Sequence, residues 1–163
     1  AQLVHEISIM SDLPHQNVVT LYGVCASPDA GMIMVHELMR MDLHTAIHEE
    51  SDEELVKTRQ GCLRVARDVA AALAHLHSFN VLHRDLKPRN VLLGHNTLQA
   101  KLCDFGISKD LSGATVSQNT VGLVGTFAYM SPEVCTRTYI RGRTLLRLFR
   151  YTGIVRAALR PTD

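Results

Sequence analysis

The sequence has no apolar run approaching the roughly 20 residues needed to cross a bilayer. Its first ten residues, AQLVHEISIM, carry neither the charged head nor the small-residue cleavage pattern of a signal peptide. Neither a transmembrane segment nor a secretory leader is expected. No initiator Met stands at residue 1, so the chain reads as beginning inside a helix. Four cysteines, Cys25, Cys62, Cys103 and Cys135, show no C-x-x-C spacing. That speaks against a zinc knuckle or a disulfide framework and for reduced thiols, with the cytoplasm as the expected location. No internal repeat is visible. The formal net charge is only +1, which argues against a general nucleic-acid binder.

What is present is enough for a core: 163 residues, 46% of them hydrophobic. The charge is unevenly spread. Acids outnumber bases up to Glu133, whereas from Val134 to Asp163 there are seven arginines, no lysine and a single acid, Asp163. Two units are therefore expected, residues 1–133 and an Arg-rich tail of residues 134–163.

Apolar residues at Leu3, Ile7 and Met10 predict a helix over Gln2 to Leu13, stopped by Pro14. NVVTLYGVCA and GMIMVHEL, joined by SPDAG, predict a hairpin. A short amphipathic helix is expected from Met41 to Glu50. The acidic EESDEE run is expected to open a longer helix ending near Ser78, with Leu63, Val65, Ala66, Val69, Ala70, Leu73 and Leu76 on its apolar side. NVL, NVLL and AKLCDF read as short strands, and Gly106 to Thr126 as a long loop.

The stretch VLHRDLKPRNVLLG crowds five polar side chains into a turn between apolar segments, a poor choice for stability and a reasonable one for chemistry. Asp85 could accept a proton, Lys87 could neutralise an anion, and Asn90 offers an amide oxygen suited to a hard cation. A second acid, Asp104 in LCDFG, follows an apolar strand and precedes Gly106, expected to free the backbone to turn. Asn90 and Asp104, on adjacent loops, could share a metal. His44 and His48 fall four apart on a presumed helix, but without a His-Glu-x-x-His pattern they read as a solvated face, and His75 and His77 are expected to border the polar turn.

HRDLKPRN resembles the catalytic loop of protein kinases, DFG the magnesium-binding motif of that family, and GTFAYMSPE the segment that closes its activation loop. The order and spacing agree as well. The resemblance implies an α+β, protein-kinase-like fold in part: the end of the N-lobe (the family's αC helix and its fourth and fifth strands), the hinge, and the first half of the mainly helical C-lobe. It implies ATP and Mg²⁺ as cofactors and a protein substrate as partner. Asp85 resembles the base at the substrate hydroxyl, Lys87 the γ-phosphate support, and Asn90 and Asp104 the Mg²⁺ ligands. His83 reads as a packing residue, and Arg84 as the clamp for a phosphorylated loop, with Thr115, Ser117 and Thr120 as nearby acceptors. Glu6 resembles the αC glutamate, whose lysine partner would lie before residue 1. VHELM resembles the hinge, which places Glu37 and Met39 at the nucleotide edge, Asp42 near the ribose, Leu92 under the base and His36 at the gatekeeper position. Read one residue out of register, His36 instead faces solvent. Cys103 would lie beside the nucleotide as a small buried hydrophobe. Lys87 with Pro88, and Thr126, resemble the serine/threonine type, and LYGVC and YMSPE the tyrosine-kinase-like group.

The resemblance stops near Glu133. The tail could be a basic amphipathic helix for a membrane or partner. Read one base later, however, the codons of Arg141 to Leu148 can encode Ala-Asp-Val-His-Ser-Phe-Gly, similar to the family's continuation, so a shifted reading frame is the expected origin. Without the following helices, the apolar face of Ala66 to Leu76 is expected to stand exposed, inviting a partner or a missing segment, and Glu133 loses its expected arginine. Such a chain is expected to be weakly stable and to transfer little phosphate alone. The alternative function is a kinase-derived binding or regulatory module without catalysis.

Overall fold

The computed structural model describes residues 2–29, 31–48, 58–95, 99–110 and 126–129. The first helix, α1 (Gln2–Asp12), ends one residue before the expected Leu13. Its inner side, Ile9 and Met10, joins Leu13, Val18 and Val19 of the following linker in the core. The hairpin forms as expected from β1 (Leu21–Ser27) and β2 (Gly31–His36), antiparallel, with a register shift between Leu21 and Gly23. Gly31 supplies the left-handed turn residue, at φ 72°. Tyr22, Val24, Met32, Ile33 and Val35 are exposed, so apolar side chains stand on both faces of this ribbon.

Met41 opens an element as expected, but as a strand: β3 (Met41–Asp42) leads directly into α2 (Leu43–His48). The longest helix among the described residues, α3 (Arg59–Ser78), begins after the acidic run, not within it. Thr58 caps it, its hydroxyl oxygen accepting from Gly61 N at 3.1 Å, and no acid lies in the first turn. Residues 49–57 lie outside those described. At the far end Asn80 takes the left-handed position, at φ 58°, that glycine often fills.

The buried face of α3 is Cys62, Val65, Val69, Ala72, Leu73 and Leu76, packed in one cluster with Leu43 and Ala46 of α2. Leu63 departs from expectation: at 52% exposure it sits outside this face, because the helix turns about 100° between it and Cys62. The expectation of an exposed face from Ala66 to Leu76 is also corrected. Val69, Ala72, Leu73 and Leu76 are buried, and Ala66 is half-buried against the core. Each fully buried valine or leucine there contributes roughly 1.5–3 kcal/mol.

The short strands follow: β4 (Val81–Leu82), β5 (Val91–Leu93) and β6 (Ala100–Leu102). A three-stranded antiparallel sheet runs β3-β5-β6, and Val18 adds a parallel bridge to Leu102. Inside the stretch expected to be all loop, β7 (Lys109–Asp110) pairs antiparallel with β4. Residues 111–125, with Thr115, Ser117 and Thr120, lie outside those described, as do Glu133, Cys135 and the tail.

Candidate active site

The charged turn between β4 and β5 is held open by its own backbone. Arg84 adopts a left-handed conformation, φ 64°, costly for a side chain with a Cβ. Pro88 then starts a single tight turn, Pro88–Asn90, closed by Asn90 N donating to Lys87 O at 3.0 Å. These two features turn consecutive side chains in different directions.

Asp85 is the hub, buried apart from 7% of its surface. Thr126 donates both its backbone N–H (2.8 Å) and its hydroxyl (2.7 Å) to Asp85 Oδ1. Lys87 Nζ donates to Asp85 Oδ2, and Asn90 Nδ2 donates to Asp85 O at 3.0 Å and to Oδ2 at 3.2 Å. Burial alone would raise this carboxyl, but the donors from Lys87 and Thr126 outweigh it and hold it below the usual carboxylate range. Four donors thus saturate a carboxylate with about four lone-pair sites.

His83 is buried and packs its ring on Phe105, centroids 5.2 Å apart. Its Nε2 lies 3.1 Å from Cys103 O, and its Nδ1 accepts from Asp85 N at 3.3 Å. Burial lowers its imidazole, against the pull of Asp104 and Asp85, which suits the packing role read from the sequence. Arg84 donates through Nε to Ile107 O at 2.6 Å and reaches Ser108 O at 3.5 Å, so it pins the chain just after DFG. Ser108 itself donates to His83 O at 3.3 Å and accepts from His5.

Asp104, not Gly106, carries the left-handed turn, at φ 64°. A Cβ added to Gly106 would meet Asp104 Oδ1 at 3.5 Å and Glu6 Oε2 at 3.7 Å, ordinary contact, so this conformation does not require a glycine there. Asp104 is exposed, and the hydrogen bond to its Oδ1 is the long one from Gly106 N, 3.4 Å. Phe105 is fully buried, and its N–H donates to Glu6 Oε1 at 3.3 Å, joining α1 to the DFG turn. Burial raises the Glu6 carboxyl, with Phe105 N opposing and the nearby Asp104 charge adding. Cys103 N donates to Asn90 O at 3.1 Å, which sets Asn90 one residue from Asp104 across the ladder. The exposed carboxylate of Asp104 and the amide oxygen of Asn90, whose NH₂ is already committed to Asp85, are the oxygen donor types that a hard cation such as Mg²⁺ takes.

The residues read as a hinge are placed less simply. Glu37 turns its carboxylate onto Lys101 Nζ, 2.7 and 2.8 Å, and accepts from Thr20 N at 2.6 Å. Its own N–H donates to Thr20 O at 3.0 Å. Met39 packs half-buried on the core, and Arg40 N donates to Leu93 O at 2.8 Å, tying this segment to β5. Asp42 caps α2, accepting from Thr45 N (3.1 Å) and Thr45 Oγ1 (2.9 Å), so its carboxylate is already engaged. Leu92 pairs with Asp42 across the sheet, half-buried. His36 is exposed at the end of β2. Cys103 is half-buried, its thiol pushed up to about 12 by burial and the carboxylates of Asp104, Glu6 and Asp42, which leaves it unreactive.

Three supports were not singled out from the sequence. Asp68, buried on α3, accepts from Ala100 N at 3.1 Å. Asn17, buried in the linker, donates to Ala100 O at 2.9 Å and accepts through its carbonyl from Leu102 N at 2.9 Å. Lys101 anchors Glu37. The signal for Asp68 is an acid amid helix positions 62–76 that are otherwise apolar inward. His75, expected to border the polar turn, stacks on His15. Among the described residues no group of three or more His, Cys, Asp or Glu side chains could hold a metal, and no helix is long and apolar enough to cross a membrane.

The family model described as protein kinase domain matches residues 1–144. The chain is similar to wall-associated receptor kinase-like 3 of Arabidopsis thaliana, 33% identical over 135 residues, covering 81% of this chain and 18% of that protein. Wall-associated receptor kinase 3 of the same plant is 35% identical over 138 residues, covering 83% and 18%. The putative mitogen-activated protein kinase kinase kinase 7-like of Drosophila melanogaster is 33% identical over 130 residues, covering 78% and 31%. The chain therefore spans less than a third of each of these relatives. In solved structures it resembles a chain of the yeast RNA Pol II CTD kinase CTDK-1 complex, TM-score 0.77 at 20% identity, over 99% of this chain and 53% of that one, a likeness of fold with mixed helices and strands. On the match of its family model, with the charged loop, the DFG turn and the fold that holds them, the chain belongs to the protein kinase family.

Proposed function

We propose that this chain is the middle portion of a serine/threonine protein kinase that transfers the ATP γ-phosphoryl group to a hydroxyl of a protein substrate in cytoplasmic signalling. The observation that carries the reading is the Asp85 cluster: one buried carboxylate oriented by Thr126, Lys87 and Asn90, with Asp104 one ladder step away. In this reading α1 is the αC helix and β1–β2 the last N-lobe strands, while residues 37–42 are the hinge and α3 with the charged loop begins the C-lobe.

Asp85 orients the substrate hydroxyl and accepts its proton. Because its lone-pair sites are filled, that hydroxyl replaces one of the standing donors, and the mobile ones are the Lys87 ammonium and the Thr126 hydroxyl. Lys87, freed to point outward, offsets charge on the γ-phosphate. Asn90 and Asp104 would hold Mg²⁺, which supplies neutralisation of phosphate oxygens. Arg84 fixes the residues after DFG so that Asp104 keeps its direction. Glu37 and Met39 offer backbone groups to adenine, and Leu92 lies under it. Asp42 reaches a ribose only by giving up part of its cap on α2. The domain division near Glu133, and little or no phosphotransfer by this stretch alone, belong to the same proposal.

The test is thermal melting of the chain with and without Mg²⁺–ATP, with Asp104→Ala alongside. A rise in Tm abolished by Asp104→Ala supports nucleotide binding at this site. A shift that survives Asp104→Ala, or no shift, overturns the site assignment.

A further inference from the structure

His15 lies in the linker between α1 and β1, and His75 lies on α3. Their rings stack with centroids 4.6 Å apart and planes 23° from parallel, and Phe79 meets the other side of His75 edge-on at 5.1 Å. Asn17 N donates to His15 Nδ1 at 3.1 Å, so that nitrogen carries its lone pair and the neutral ring is protonated at Nε2. His75 Nε2 is buried with no hydrogen-bond partner. The same linker, two residues on, carries the Asn17 clamp on Ala100 and Leu102, the strand that runs into Cys103 and Asp104.

We propose that the His15–His75 stack is a pH-sensitive joint, which seats the α1–β1 linker on α3 while the His15 ring is neutral and releases it as that ring protonates in mild acid. Adding a proton at His15 Nδ1 removes the acceptor of the Asn17 N–H. Among the described residues, His15 meets the His75 imidazole and the Asn17 N–H, and His75 also meets the uncharged Phe79 ring. Burial lowers the His15 imidazole from its ordinary 6.5, and His75 adds in the same direction. The folded joint thus binds fewer protons than the unfolded chain. Its stabilisation is present above about pH 6.5 and is lost as pH falls through the lowered value.

The experiment is amide exchange of Asn17 and Leu102 in the full chain at pH 7.5 and 5.5, corrected for the intrinsic pH dependence of exchange, in wild type and in His15→Asn. The asparagine offers a side-chain oxygen to the Asn17 N–H and cannot charge. In wild type both amides are expected to lose protection at least about tenfold at pH 5.5, and in His15→Asn less than about threefold. Equal losses in the two proteins, or an Asn17 amide already unprotected in wild type at pH 7.5, overturn the joint. Should His15→Asn not fold, the ring resonances of His15 in wild type decide. A midpoint shared with the Asn17 amide is expected, and separate midpoints overturn the proposal.

Discussion

Thr126 closes on Asp85 with two hydrogen bonds to the same oxygen, one from its backbone at 2.8 Å and one from its hydroxyl at 2.7 Å, across 41 positions of sequence. Only the second depends on the side chain. Thr126→Val keeps the shape and the N–H, and is expected to cost about 1 kcal/mol. The Asp85 carboxyl should rise toward its ordinary value, since one of the donors that lower it is gone. Denaturant midpoints and a carboxyl-carbon NMR titration check both. Asp85→Asn, which turns an NH₂ toward either Thr126 or Lys87, is expected to cost more stability and, on the proposed function, to reduce phosphotransfer by a longer chain carrying this site by about 10²–10⁴-fold.

The buried Asp68 and its neighbour Arg67 separate an exposed ion pair from a structural hydrogen bond. Arg67 is 75% exposed at its side chain, and Arg67→Ala is expected to change stability by less than about 0.5 kcal/mol. Asp68→Ala orphans the Ala100 N–H and is expected to cost about 1–3 kcal/mol, read as a shift in urea midpoint at unchanged slope.

Glu37 and Lys101 give a pH signature. Burial opposes the charge on Glu37, but Lys101 and Thr20 outweigh it and hold the carboxyl below its ordinary 4.5. The folded state therefore binds fewer protons in that range. The stabilisation is present above about pH 4.5 and is lost as pH falls through the lowered value. Glu37→Gln is expected to cost about 1.5–3 kcal/mol at pH 7 and much less below pH 4, a convergence visible in melting curves taken across that interval.

Glu6 has the opposite sign. Its carboxyl is raised, chiefly by burial, so its favourable contribution is complete below 4.5 and is lost as pH rises through the raised value. Glu6→Gln is expected to melt at or above wild type at pH 7, by up to about 2 °C, and to coincide with it below pH 4.5. On the proposed function, the same change in a longer chain carrying this site is expected to lower phosphotransfer, and a stability gain paired with an activity loss would identify a residue kept for function.

Much of the site was legible in VLHRDLKPRN and DFG, because residue types so crowded and so polar have few structural uses. Asp85, Lys87, Asn90 and Thr126 form one hydrogen-bonded cluster. The hairpin and α3 were legible from β-branched runs and 3.6-residue spacing. Leu63 was not, since a helix admits a narrow inward stripe and hydrophobicity alone does not say where the stripe ends. Asp68 and Asn17 were opaque because their partner, the Ala100 peptide, is 32 and 83 residues away. The pairing of Lys109 and Asp110 with β4 rests on backbone groups, which leave no mark in side-chain pattern. The left-handed turn fell on Asp104 and not on Gly106 because aspartate is among the few residues that tolerate that region.

The clamp of Asn17 on Ala100 joins positions 83 residues apart, and the earlier of the two leaves the ribosome first. At synthesis rates of about 5–20 residues per second, the linker waits roughly 4 to 17 seconds for the strand that will hold it. During that interval α1 and the apolar hairpin have emerged without their sheet neighbour, and the nascent chain depends on whatever shields it in the cell.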